Sequence, residues 1–240
     1  MKKLLSLIIL GLFFIVLGCE KDSLFDTTLD NDSKVSVREI TADVEAMIDG
    51  GVNWLLTQRH PDGYFSDGED VVARTAMAVV KLCDRSIELG WEDPLQPGAP
   101  YRTEILAGLT YIVSQERDYP GIGVAYHNLL ASRHHENYNT SWALMAFVAS
   151  RDADYLSYAQ GAADYFINSQ AANGGWGYNA GTGWDGNVNW QDNSNTGYAV
   201  LALVAARNFG CLGIDNVLPS HENWVDLIQD NTNGGSWYTP

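Results

Sequence analysis

Four glutamines, Gln58, Gln115, Gln170 and Gln229, recur at intervals of 57, 55 and 59 residues, and each leads into a turn containing glycine. The clearest copy reads Gln170-Ala-Ala-Asn-Gly174-Gly175-Trp176; the others are Gln58-Arg-His-Pro-Asp-Gly63-Tyr-Phe65 and Gln229-Asp-Asn-Thr-Asn-Gly-Gly235-Ser-Trp237, while Gln115 is followed only by Gly121 and Gly123. A period of this length predicts one supersecondary unit stacked beside the next, each burying the face its neighbour exposes.

A second pattern follows each turn: Arg74-Thr75-Ala-Met77-Ala78, Asn139-Thr140-Ser-Trp142-Ala143 and Asn195-Thr196-Gly-Tyr198-Ala199, with the threonines 65 and 56 residues apart. Each opens a run of Ala, Val, Leu and Met that is apolar nearly all round, as expected of a helix buried on both faces. The helix before each of the first three glutamines is more amphipathic. It carries Trp54, Tyr111 or Phe166 four residues before the glutamine and Gly51, Gly108 or Ala163 seven before it, neighbours on one face. One unit is thus an outer amphipathic helix, a turn, an inner apolar helix and a connection, with no convincing strand period. Three hairpins are predicted at about 42–82, 103–150 and 158–209, then the outer helix of a fourth from Glu222 to Gln229. An inner helix is expected after Trp237-Tyr-Thr-Pro240, so the sequence reads as a C-terminally incomplete set of repeats.

Lys2 and Lys3 precede an apolar run from Leu4 to Leu17 and then Gly18-Cys19. The run is short for a bilayer span and reads as an export signal. Val16-Leu17-Gly18-Cys19 resembles a bacterial lipoprotein box, which implies removal of residues 1–18, acylation of Cys19 and anchoring to a membrane by lipid. Residues 19–36, polar and poor in large apolar groups, are expected to be a tether, with the repeat domain at 37–240. Removing the signal takes away two lysines and no acid, moving the formal net charge from -16 to -18, which excludes nucleic acid as a partner. Cys83 and Cys211 are expected to be buried free thiols.

The stretch Gly161-x-x-x-Tyr165-Phe166-x-x-x-Gln170-x-x-x-Gly174-Gly175-Trp176 resembles the Gln-Trp motif of the squalene cyclase and protein prenyltransferase superfamily, and the likeness extends over residues 42 to 240. It implies an all-α fold, an α/α toroid of inner and outer helices, here an open ring of about three and a half hairpins. Gln58, Gln115, Gln170, Trp176, Gln229 and Trp237 are then structural: the amide bonds helix-end backbone groups and the aromatic ring packs across the hairpin. The resemblance also implies where chemistry would sit, at the N-termini of the inner helices. Terpenoid cyclases carry Asp-x-Asp-Asp-Thr there, whereas this chain has Asp192-Asn193-Ser194-Asn195-Thr196, with a hydroxyl in place of the proton-donating acid. Prenyltransferases carry an Asp-x-Cys zinc pair, and Ser194 again stands where the thiolate is needed. Gly210-Cys211-Leu212-Gly213 lacks the Glu and Gln of a thioester motif.

Asp192 remains the one catalytic candidate, or else a cap of its helix, a position that Asp70 and Glu136 share in the other repeats. Trp142 and Tyr198 either line a cavity or pack in the core. Arg74, Asn139, Trp142, Asp192, Asn195 and Tyr198 form the expected cavity mouth, suited to an apolar or carbohydrate ligand. The loop from Gly181 to Asp192, with Trp184 and Trp190, suits a sugar-contacting lip better than a calcium loop, since it lacks the turn glycine and terminal Glu. His127, His134 and His135 cluster without a third ligand type at helical spacing, so no metal and no cofactor is expected. The sequence therefore suggests a binding or scaffold role; the enzyme alternative, cyclase-like or acting on polysaccharide, places its catalytic residues beyond residue 240.

Overall fold

A computed structural model describes the backbone of residues 37–127, 135–180, 190–230 and 232–239, and side chains from residue 42 on. Contacts divide the chain into two units, Met1–Gly51 and Val52–Pro240. Of the first, only the start of helix α1 (Val37–Thr57) is described, with Val44 and Met47 exposed. The remainder concerns the second unit.

The described residues are mostly helical. Helix α2 (Val71–Glu88) is followed by α3 (Arg102–Ser114), a two-stranded hairpin, α4 (Glu136–Ala149), α5 (Leu156–Ser169), α6 (Asn193–Phe209) and α7 (Leu218–Ile228). The helices alternate between two packed rows. Helix α4 packs against both α2 and α6 to form one row, while α3 packs on α2 and α5 on α4 and α6. Leu82, Ile105, Leu109, Ile112, Leu144, Phe147 and Phe166 are fully buried between the rows, and each such side chain contributes about 1.5–3 kcal/mol relative to exposure. No helix among the described residues is long and apolar enough to cross a membrane.

The connection between α3 and α4, which shows no convincing strand period in sequence, holds one short hairpin in this otherwise helical fold. Strands β1 (Glu116–Tyr119) and β2 (Gly123–Tyr126) pair antiparallel from Glu116↔Tyr126 to Tyr119↔Gly123. Pro120 and Gly121 close them, with Ile122 N–H donating to Tyr119 O at 2.8 Å and Gly121 at φ 79°, the backbone of a type II turn. Four-residue strands are too short to show a period. Helix α7 also starts four residues earlier than expected, because Pro219 lies in its first turn, where its fixed φ suits a helix start. Trp54, expected on a packing face like Phe166, is 63% exposed.

Each unit is fastened by one repeated bond. The hydroxyl of the shared threonine accepts the backbone N–H of the turn aromatic: Thr75 from Phe65 at 3.0 Å, Thr140 from Tyr126 at 3.0 Å and Thr196 from Trp176 at 2.9 Å. All three rings are buried, so the N–H beneath each would otherwise be orphaned. Neighbouring units meet at the turn glycine. A Cβ on Gly174 would lie 1.9 Å from Ser220 O of α7, and one on Gly63 or Gly123 would strike the backbone of Ala107 or Tyr165 in the same way.

The glutamines divide in their roles. Gln170 Nε2 donates to Gly174 O at 3.0 Å and to Val217 O, at the start of α7, at 3.2 Å. Gln58 and Gln115 instead donate to the hydroxyls of Thr57 and Ser114, both at 2.9 Å, and Gln229 is exposed. Trp176 Nε1 donates to Phe166 O at 2.9 Å, closing the end of α5. Trp237 does not take the corresponding place. Asp230 N–H donates to Gly235 O as Ala171 N–H does to Gly175 O, which sets Ser236 opposite Trp176 and leaves Trp237 60% exposed. Ser236 causes the shift: it separates Trp237 from Gly235, where Trp176 follows Gly175 directly.

Candidate functional site

Because α2, α4 and α6 stand side by side with their threonines locked alike, their N-terminal ends open onto one cleft. It has a volume of about 270 Å³ and is lined by Asp70, His135, Tyr138, Tyr178, Ser194, Asn195 and Tyr198.

On the α2–α4 side, Asp70 precedes α2 but does not cap it with its own side chain. Asn139 of α4 does so from across the interface: its Oδ1 accepts Ala73 N–H at 2.9 Å, and its Nδ2 donates to Asp70 Oδ1 at 3.1 Å and His135 O at 2.9 Å. His135 Nδ1 lies 3.0 and 3.2 Å from the two Asp70 oxygens. Asp70 is thus held by two groups of the neighbouring repeat.

On the α6 side, Asp192 caps its own helix. Its Oδ1 accepts Asn195 N–H at 2.9 Å and Ser194 Oγ–H at 2.6 Å, and its Oδ2 accepts Asn195 Nδ2–H at 2.7 Å. Ser194 Oγ is also 3.2 Å from Tyr238 Oη, and Asn193 N–H donates to Tyr238 O at 2.9 Å. Asn195 occupies the same repeat position as Asn139, yet it turns to Asp192 rather than to the neighbouring helix. Its Oδ1, on a side chain 3% exposed, accepts no hydrogen bond among the described residues.

Aromatic rings form the rest of the wall. Tyr198 meets Tyr138 edge-on at 5.1 Å and Trp142 at 5.9 Å, and Tyr178 lies 5.2 Å from His135. Burial raises the Tyr138 phenol, with Tyr198 and the Asp70 carboxylate adding to the effect. Burial, the hydrogen bond to Tyr238 and the nearby acids push Tyr178 up to about 12. Both stay neutral donors under ordinary conditions.

Of the residues expected at the cavity mouth, Asn195 and Tyr198 line the cleft. Asp192 lies fully buried behind them, its oxygens engaged by the first turn of α6. Asn139 is the interhelical staple and Trp142 supports Tyr198. Arg74 is exposed and bonded to Ser66 and the Asp67 carbonyl; it is not among the lining residues, though its charge reaches the phenol of Tyr138. Glu136 is directed to the outer layer, where its carboxylate accepts Tyr119 Oη–H at 2.8 Å and Tyr165 Oη–H at 3.1 Å. The histidines part company: His127 sits in that outer network, 3.8 Å from Glu136, and His135 in the cleft, while His134 lies outside the described residues. Residues 181–189 of the Trp-bearing loop and Cys19 also lie outside them; Trp190 is exposed. Among the described residues no cluster of three His, Cys, Asp or Glu could hold a metal. Tyr138 and Tyr178 were not singled out from sequence. For Tyr138 the signal was positional: it and Ser194 stand at the same place, two residues before the shared threonine.

Chemically, the cleft offers ring surface, acceptors and hydroxyls. Ser194 is not poised as a nucleophile, because its proton goes to Asp192 rather than to the imidazole of His135. No protein-family model matches the chain, and no curated protein matches its sequence.

Proposed function

We propose that this chain is a ligand-binding repeat protein of the squalene cyclase/prenyltransferase-like α/α-toroid type, held outside the cytoplasm by a lipid on Cys19. The alternation of inner and outer helices and the repeated turn lock support the toroid, whose inner helices would surround a cavity. One observation carries the binding role: Asn195, which lines the cleft at the inner-helix N-termini, has a buried Oδ1 that accepts no hydrogen bond among the described residues. Such an atom costs about 1–3 kcal/mol unless something satisfies it, and a ligand is the economical explanation for a wall residue. The acids and amides around it act as caps and staples, which favours binding over catalysis.

A thermal-shift screen of the purified protein against oligosaccharides and isoprenoids tests this reading. A stabilising ligand whose effect disappears in Tyr198→Ala supports it; no response to either class contradicts it. Labelling cells with a radioactive fatty acid should mark the wild type and not Cys19→Ala, and equal labelling of both would remove the anchor from the account.

A further inference from the structure

We infer that the cleft takes a neutral saccharide, held through a hydroxyl that donates to Asn195 Oδ1 while ring carbons lie against Tyr138, Tyr178 and Tyr198. The inference rests on reading the cleft as the binding site, and adds the ligand's chemistry. Charge narrows the choice first. Among the described residues no Lys or Arg lines the cleft; Arg74, near enough to act on the Tyr138 phenol, is bonded to Ser66 and the Asp67 carbonyl, and His135 is engaged with Asp70. The positive ends of α2 and α6 are already faced by Asp70 and Asp192, and Glu136, in the first turn of α4, is spent on Tyr119 and Tyr165. An anionic ligand such as an isoprenoid diphosphate therefore finds no unengaged counter-charge among the described lining residues. A cation gains little as well, because the Asp70 carboxylate is already bonded to His135 and Asn139.

Polarity narrows it next. Asn195 Oδ1 is already closed off from water without a donor, so an apolar ligand would leave it unpaired, whereas a hydroxyl would pair it. Vicinal sugar hydroxyls each donate and accept, which matches a wall containing Asn195 Oδ1, the remaining lone pairs of Asp70, the Ser194 hydroxyl and three phenols. The C–H face of a pyranose complements a tyrosine ring. The volume of about 270 Å³ is just under the roughly 300 Å³ lower bound of ordinary small-molecule sites, which suits one or two sugar rings rather than a long chain.

Isothermal titration of the full-length Cys19→Ser chain, purified in a non-glycosidic detergent, decides the matter with six probes: cellobiose, xylobiose, mannobiose, digalacturonate, farnesol and choline. At least one neutral disaccharide should bind at a single site, more than about tenfold more tightly than digalacturonate, farnesol or choline. Tyr198→Ala should weaken it about tenfold, and Tyr198→Phe, which keeps the ring, should retain it. If farnesol, digalacturonate or choline binds in a Tyr198-dependent way and the neutral sugars do not, the saccharide inference falls and the cleft remains a binding site. Binding of none of the six overturns the saccharide inference, and a wider fragment screen that also leaves the cleft empty overturns the binding role itself.

Discussion

Thr196 Oγ accepts the backbone N–H of Trp176 at 2.9 Å and lies 3.2 Å from the Trp176 carbonyl, to which it can donate in turn. The same threonine position makes the same N–H bond in two earlier units although 10, 14 and 20 residues separate the partners. The loops differ in length while the bond persists, which makes it the fixed point of the repeat. Thr196→Val, which keeps the shape and removes the acceptor, should cost about 1–3 kcal/mol in urea unfolding, and Thr196→Ser should cost less than half of that. Equal losses would mean that packing, not the bond, holds the turn.

The turn glycines should separate into two classes. Gly174 has φ 86° and a backbone oxygen where its Cβ would go; Gly234 has φ 75° and open space around it. Gly234→Ala therefore carries only the left-handed backbone cost of about 1–2 kcal/mol. Gly174→Ala adds a steric clash and should lose at least about 2 kcal/mol more. Comparable midpoints for the two variants would refute close packing of α7 on the third turn.

Asp192 distinguishes a cap from a catalytic acid. Asp192→Ala should destabilise the fold by about 1–2 kcal/mol through loss of the N-cap, and Asp192→Asn should recover part of it. A ligand that binds the wild type should still bind Asp192→Asn, measured by titration calorimetry. Abolished binding in a stably folded Asp192→Asn would return the acid to a direct role.

Alkaline titration should reveal the protected phenols. Tyr178 is raised from 10.0 to about 12, and burial beneath the Glu136 carboxylate raises Tyr165 well above the same value. A raised phenol binds its proton more tightly in the folded state, so its contribution to stability is complete below pH 10.0 and is lost as pH rises through about 12. Unfolding midpoints should fall across that interval, and Tyr178→Phe should flatten the slope. An unchanged slope in Tyr178→Phe would assign the alkaline loss to other groups.

The helical repeat was legible because its cause is periodic: the glutamine and threonine spacings reflect one unit made several times, and apolar periodicity marks buried helices. What escaped the sequence was local and shorter than a period. Tyr119-Pro120-Gly121-Ile122 turned a connection into a hairpin through one dihedral choice, and Ser236, inserted between Gly235 and Trp237, moved Trp237 out of the place Trp176 holds. At the cleft, Asn195 and Tyr198 could be located from the shared Asn-Thr-x-aromatic pattern. The exchange of roles between neighbours could not. Asn139 reaches Ala73 across an interface, and Asn195, in the same place, folds back onto Asp192. Only the structure shows that one asparagine oxygen is spent and the other is left open.

That open oxygen is where the functional account is most exposed to test. Crystals of the protein soaked with the neutral disaccharide that binds most tightly should show a sugar in the cleft with a hydroxyl within hydrogen-bond distance of Asn195 Oδ1. A sugar bound elsewhere, or an Asn195 whose oxygen is already occupied by a protein donor in the soaked and unsoaked crystals alike, would contradict it.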